Sequence, residues 1–585
     1  MKANLHKGIV RGFLLSYISS YRQLVAISLS LMLLVALSRM APPYILKVAV
    51  DSFIPNGDLR GLTLAALIYL SSICLEYVAI YFQIYTTQIF GQSVIRDLRM
   101  GTFTRLLGLP VPYFDRTPHG KSLHYVTSDM ENINEFITSG IVTTVADVIT
   151  IVGILAVMLY LNAPLTGVVF VFFLFLFAVT NAFRKRFQVA YKENREAVSE
   201  MNGFLQESLA GIYVSKAFNR KDADAAEFRT KNDTYVQAFK RVIFYLSIYF
   251  PFVESVGILT ILAILSASGG LLSAGALTFG IIFAFIEYSQ KLYNPIRDLS
   301  EKYNLYQSAL SSLEKLRKLH AMEGEGHPGD ATSVSGDIEF RDVWLSYGDD
   351  DAFALKGVSL TIREGERVGI IGLTGSGKTS LINLMLGFYK PTRGEILIGG
   401  RPIGDYTLEA LRRAFGIVSQ DVFIFPRTLR ENLFQAEGSA VPQAVEGLVG
   451  GFFDEGLEKT ISEDGLNLSE GEKQLVSIGR LITYRPRFVI LDEATSRIDR
   501  YLDQEVRAVI EREFSDSTWM VIAHRMATMP DMDRILVIHD GRLTEEGTHT
   551  ELLAKDGIYA QLYHIHREGV MNGHLPGAPR RNGVE

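Results

Sequence analysis

Residues 372–379 read GLTGSGKT, a glycine-rich turn ending in a lysine and a hydroxyl side chain. Glycines let successive backbone N–H groups converge on one point, and a helix starting there adds the favourable end of its dipole. That combination suits phosphate oxygens. The stretch Gly372, Leu373, Thr374, Gly375, Ser376, Gly377, with Ser380 just beyond, is expected to cradle the phosphates of ATP. Lys378 would reach the β- and γ-phosphates and Thr379 would set its hydroxyl on Mg²⁺.

Further along, RFVILDEATS (487–496) is an apolar run closed by two acids. Asp492 can hold Mg²⁺ directly or through water, and Glu493 is placed to polarise an attacking water as general base. Two acids at a strand end can also be a plain solvated turn; the phosphate loop upstream favours the catalytic reading. Three single residues join them. Gln420, after the apolar run GIVS, can bond Mg²⁺ or the lytic water. His524, closing WMVIA, can bond the γ-phosphate, and Tyr347 offers an aromatic face to adenine. Each alone is an ordinary residue, and their order along the chain is what gives them weight.

The elements that must position these groups are strands and helices in alternation. The β-branched run before Gly372 and the run Phe488–Leu491 read as buried parallel strands, with an apolar helix after Thr379. This α/β part occupies the charged C-terminal portion. The first ~300 residues differ, with long apolar stretches that each meet the ~20 residues needed to cross a bilayer. Six are expected, at roughly 24–50, 62–88, 138–161, 163–183, 245–268 and 276–298. NAPL (162–165) makes a tight turn between the third and fourth, as SASGGLLSAGAL (266–277) does between the fifth and sixth.

Charge sets the orientation. Lys2, Lys7, Arg11, Arg22, Arg96, Arg99, Arg105, Arg184, Lys185, Arg186, Lys240 and Arg241 share one side, whereas the opposite short loops carry little beyond Arg60. The positive-inside rule makes the N-terminus, the long connections and the C-terminal domain cytoplasmic, within a cell membrane. The opening residues read as a basic interfacial helix without a cleavage site. The connections 89–137 and 184–244 keep helical spacing, so the spans should extend into the cytoplasm and end in two short helices, near YFDRTPHGK and Leu209–Phe218. A net charge of −6 leaves no global footprint for nucleic acid, and the single cysteine, Cys74, excludes an intramolecular disulfide.

Tyr347, the phosphate loop, Gln420, LSEGE (468–472), ILDEATS and IAHR follow the order and spacing of ATP-binding-cassette domains. With YFDRTPHGK, LQESLAGIYVSKAF and YNPIRDLSEKYN ahead of them, nearly the whole chain resembles a half-transporter of the ABC exporter class. The fold expected is an α-helical polytopic membrane domain of six helices with long cytoplasmic extensions, followed by an α/β P-loop ATPase domain. The parts are a membrane domain at 1–320, a linker at 321–335, a nucleotide-binding domain at 336–567 and a tail at 568–585. The resemblance further implies a dimer that sandwiches two ATPs, each phosphate loop facing the other subunit's LSGGQ-type signature. Ser496–Asp499 matches the family's loop linking the two sites.

The signature departs from that pattern. Ser469 and Gly471 stand, but Glu470 and Glu472 replace a glycine and the glutamine. A carboxylate ~5 Å from a phosphate oxygen costs roughly 3 kcal/mol at an effective dielectric near 20. With Lys378, Asp492, Glu493, Gln420 and His524 intact, the expectation is an unequal pair: a heterodimer with a second half-transporter, favoured over a homodimer. Ionisable residues inside spans are functional candidates. Arg39, Glu76, Glu254 and Glu287 lie at similar depth. Either Arg39 pairs with one acid, or the acids line a cavity for cationic amphipaths. Export of hydrophobic or amphipathic small molecules is the first reading. An exporter-shaped importer of a metal chelate and an ATP-gated sensory protein stay open.

Overall fold

The computed structural model describes residues 16–273, 277–297, 299–326, 329–348, 352–433, 442–450, 453, 456–492, 500–522 and 526–568. They divide into two compact units: Met1–Gly108 with Thr117–Glu323, and Leu109–Arg116 with Gly324–Glu585. The expected N-terminal interfacial helix lies almost wholly outside the described residues.

The first unit is helical: α1 (Arg22–Val48), α2 (Leu59–Leu107), and, beyond the short α3 (Val111–Arg116) of the other unit, α4 (His119–Val126) and α5 (Ser128–Glu135). There follow α6 (Thr143–Leu161), α7 (Ala163–Ala210), α8 (Ile212–Ala217), α9 (Lys221–Ser273), α10 (Phe279–Arg297) and α11 (Leu299–Ala321). At 1.5 Å per residue, the 49 residues of α2 span roughly 74 Å. A bilayer core is ~30 Å thick, so the membrane helices run far beyond it. NAPL acts as both stop and start. The Asn162 side chain accepts from the Leu165 N–H at 3.0 Å, and a proline sits in the first turn of α7. Asp58 caps α2 in the same manner, accepting from the Gly61 N–H at 2.9 Å.

Among the described residues five helices are long and apolar enough to cross a membrane. The helix expected as the sixth span, α10, is present but short, carries Glu287 and Lys291, and falls outside that set. Its inner face nevertheless packs into the helical core, where Phe285, Tyr288 and Leu292 meet Ile154, Met158 and Val169. Outward faces are apolar and bare, as at Leu67, Val152 and Phe175, which is what lipid rather than water would cover. Both connection tips form the short helices expected. α8 leaves Tyr213 exposed, with Phe218 bare just beyond its end.

The second unit holds two sheets. Strands β1 (Ile338–Ser346), β2 (Phe353–Ile362), β4 (Arg393–Ile398) and β5 (Arg401–Pro402) form an antiparallel sheet in the order β2-β1-β4-β5. The other runs β10-β9-β3-β8-β7-β6, built from β3 (Arg367–Ile371), β6 (Phe415–Val418), β7 (Phe488–Asp492), β8 (Thr518–Ile522), β9 (Arg534–His539) and β10 (Arg542–Gly547). All its pairings are parallel except β9 with β10. Phe488, Val489 and Ile490 are fully buried, in keeping with a strand covered on both faces.

Candidate nucleotide site

Register in the parallel sheet decides what meets what. Asp492 pairs with Ile522, Ile370 pairs with the same Ile522, and Val418 pairs with Leu491. The C-terminal ends of β3, β7 and β6 are therefore level. Gly372, Asp492 and Gln420 emerge along one edge, the place where open α/β sheets bind ligands. β3 and β7 are separated by β8 alone, so the phosphate loop and Asp492 stand two strand spacings apart, about 10 Å.

The loop itself is tightly built. Gly377 has φ 112°, and a Cβ there would lie 2.8 Å from Leu355 Cδ2 and 2.9 Å from the Ala354 oxygen, so glycine is required. It precedes α12 (Lys378–Met385). Lys378 is buried and donates from Nζ to the carbonyls of Gly372 at 2.8 Å and Leu373 at 3.0 Å, which holds the ammonium over the loop. The Ser376 hydroxyl is buried without a hydrogen-bond partner among the described residues, an orphan that a phosphate oxygen would satisfy. Leu373, Thr374, Gly375 and Thr379 are exposed around it.

Tyr347 donates its hydroxyl to Ser380 Oγ at 2.9 Å and meets Tyr389 edge-to-face, with ring centroids 4.7 Å apart. Tyr389 in turn donates to the Asp115 carboxylate at 2.5 Å, and Arg116 donates to the Tyr347 carbonyl. The short helix α3 is thereby tied through two tyrosines to the residue that follows Thr379. Burial and the Asp115 carboxylate hold the Tyr389 phenol well above its ordinary range, so it remains a donor.

The signature turn opens α13 (Glu470–Tyr484). Ser469 is its N-cap. The Ser469 N–H donates to Glu472 Oε2 at 2.7 Å and the Glu472 N–H donates back to Ser469 Oγ at 3.2 Å, a reciprocal capping box. The other Glu472 oxygen faces Lys459 at 3.5 Å. Burial would raise the Glu472 carboxyl, but the Ser469 bonds and Lys459 outweigh it and hold it below the usual range. Glu470, its side chain 53% exposed, pairs with Lys473 at 3.1 Å. Of the two acids weighed from the sequence against the γ-phosphate, one is thus turned back onto its own helix and the other has a lysine beside it. Gly471 lies half-buried between them.

Gln420 is exposed one residue beyond the level of β7, and Asp492 is half-buried at its strand end. Glu493, His524 and Ser496–Asp499 lie outside the described residues. Reading residue by residue missed Lys459 and Lys473. The Glu470–Lys473 spacing and the S-x-x-E pattern were visible signals for a helix-start network; Lys459 carries none.

Comparison with known proteins agrees with this architecture. Residues 25–296 match the ABC transporter transmembrane region, and residues 355–496 match the ABC transporter family. The uncharacterized ABC transporter ATP-binding protein YfiC of Bacillus subtilis is 32% identical over 96% of this chain and 95% of its own. An ATP-dependent lipid A-core flippase of Thiobacillus denitrificans is 30% identical, covering 94% and 97%. A solved bacterial Atm1-family ABC exporter with ATP bound shares the fold at TM-score 0.79 and 24% identity, covering 94% of this chain and 99% of that one. The chain belongs to the ABC transporter family: it is an exporter-class half-transporter, a multi-pass membrane protein whose ATP-binding domain hydrolyses ATP to power transport.

Proposed function

We propose that the protein exports hydrophobic or amphipathic small molecules as one half of a heterodimer with one competent and one degenerate ATP site. The observation carrying this reading is an asymmetry within a single chain. The sheet edge bearing Gly372, Asp492 and Gln420 is level, with its loop geometry intact, whereas the signature turn carries the exposed carboxylate of Glu470 at its helix start.

The phosphate loop binds and orients ATP. Its N–H groups and Lys378 take the phosphates, the Ser376 hydroxyl fills its missing bond there, and Tyr347, braced by Ser380 and Tyr389, meets adenine. Mg²⁺ fits the donors present: Thr379, Gln420 and Asp492 offer oxygens, the hard ligands it prefers. When bound, it would neutralise charge on the β- and γ-phosphates. Glu493 takes the proton of the attacking water, and His524 bonds the γ-phosphate. Ser469 and the N–H groups of the α13 start face the partner's ATP, in a site weakened by Glu470. The chain divides into a membrane domain to 320, a linker to 335, a nucleotide-binding domain to 567 and a tail.

Co-purification with a second half-transporter, followed by ATPase assays of Glu493→Gln and of the partner's equivalent change, tests the pairing. Loss of turnover from Glu493→Gln alone supports the unequal pair; equal partial losses from both overturn it. Uptake against efflux in vesicles separates export from chelate import. Absent steady-state turnover would leave the sensory reading.

A further inference from the structure

The helical unit contains a half-open chamber of about 620 Å³, with walls from α1, α2, α6, α10, α11 and the π-helical segment Phe136–Val142 ahead of α6. Five charged side chains line it: Arg39, Glu76, Asp147, Lys291 and Lys302. Four cancel in pairs. Arg39 Nε donates to Glu76 Oε1 at 3.0 Å, and Lys302 pairs with Asp147. Lys291 is left over. Its ammonium donates to the Arg39 carbonyl at 3.0 Å and has no ion pair among the described residues. Glu287, one turn earlier on α10, is outside the chamber lining and makes no ion pair with Lys291 among the described residues, though its carboxylate and that of Glu76 both act on the ammonium. Arg39 therefore does pair with one acid, and the wall is not acidic: three cations face two carboxylates. Of the three acids weighed from the sequence as lining for a cationic substrate, only Glu76 lines this chamber, and it is paired with Arg39.

An ammonium within a membrane domain that is held by a carbonyl, with Glu287 and Glu76 acting on it only from beyond ion-pair distance, can take a closer counter-ion. Gln83, Ser139, Thr143 and Asn294 add hydrogen-bond donors around the same space. Next to it lies a smaller pocket of about 110 Å³ lined by Ser28 and otherwise by apolar residues, among them Val25, Leu29, Phe90, Ile137 and Ile141. Met32 lines both. A charged chamber and a mostly apolar pocket sharing one wall match the two ends of an amphipath. We propose that the chamber binds the anionic head group of the transported amphipath, a carboxylate or a phosphate, with Lys291 as its counter-ion, while the pocket across Met32 takes the start of its apolar tail. This rests on the transport reading above.

The test is competition against a fluorescent dansyl fatty acid on the complete transporter in neutral phosphatidylcholine nanodiscs. Competitors are oleate, oleyl phosphate, oleyl alcohol, oleylamine and inorganic phosphate. Both oleyl anions should compete at least about tenfold better than the alcohol, as one ion pair near an effective dielectric of 20 allows. Oleylamine should be weakest. Lys291→Gln should erase the anion preference while leaving the alcohol's affinity in place, and Lys291→Arg should restore it. Glu76→Gln, which releases Arg39, should strengthen anion binding and gives a second reading if Lys291→Gln does not fold. Equal competition by all four amphipaths, or an unchanged preference in Lys291→Gln, overturns the proposal. Inorganic phosphate competing as well as oleyl phosphate overturns the amphipath assignment in favour of a free anion. ATP turnover of the unmodified transporter in the same discs reads the transport assignment separately. Its absence would overturn that reading, while the binding ratios would still judge the chamber.

Discussion

Neutralising Glu470 and neutralising Glu472 should have unequal effects on ATP, although the two residues are two positions apart in one turn. Glu470 is 53% exposed, and its carboxylate is balanced by Lys473 at 3.1 Å. Placed ~5 Å from a phosphate oxygen of ATP on the partner, it would cost roughly 3 kcal/mol at an effective dielectric near 20, and solvent halves that to about 1.5 kcal/mol. Glu470→Gln should therefore tighten ATP at the opposing site by about tenfold. Lys473→Met removes the balancing charge and should weaken it by a similar factor. Glu472→Gln should change affinity by less than about twofold. Its carboxylate already lies on the Ser469 N–H and beside Lys459, and glutamine keeps the reciprocal cap. Photolabelling of each subunit with azido-ATP across a concentration series measures the three affinities. The first two shifts should shrink as salt rises. If Glu472→Gln moves affinity as far as Glu470→Gln, or if Lys473→Met tightens binding, the reasoning fails.

Four further outcomes are expected. Lys378→Ala should lower ATP affinity by about a hundredfold or more in equilibrium binding, since its ammonium is already held over the loop by two carbonyls and supplies the phosphate's charge-assisted bond. Gly377→Ala should cost about 1–3 kcal/mol and lower the thermal midpoint, because φ 112° and contacts of 2.8–2.9 Å leave no room for a Cβ. Asp129→Ala should destabilise the helical unit by about 1–2 kcal/mol in thermal unfolding. That carboxylate, 4% exposed, accepts from Ser312 at 2.7 Å and Lys315 at 2.9 Å; its loss leaves the buried Ser312 hydroxyl without its acceptor, while Lys315, 52% exposed, turns to water. The Glu472 carboxyl sits below its ordinary value of 4.5, so its stabilisation is complete above that pH and fades as pH falls through the lowered value. Glu472→Gln should remove that part of the acid sensitivity in melts between neutral pH and about pH 3.

Local pattern alone carried the broad architecture. Bilayer crossing depends on runs of apolar residues, and a phosphate loop depends on glycines next to a lysine. Both are short-range facts written in consecutive residues, so the long helices, the NAPL turn and the strand before Gly372 could all be read directly. Tertiary structure decided the rest, because charge balance depends on partners distant in the chain. Sequence reading gave Arg39 several possible acids, and helix packing selected Glu76, thirty-seven positions away. It left Lys291 unremarked, and only the assembled chamber shows that residue lining the shared space with a carbonyl rather than a carboxylate as its contact partner. LSEGE read as two acids aimed at phosphate. The start of α13 turned one of them inward, since an unsatisfied helix N-terminus competes for the same carboxylate and is the nearer partner.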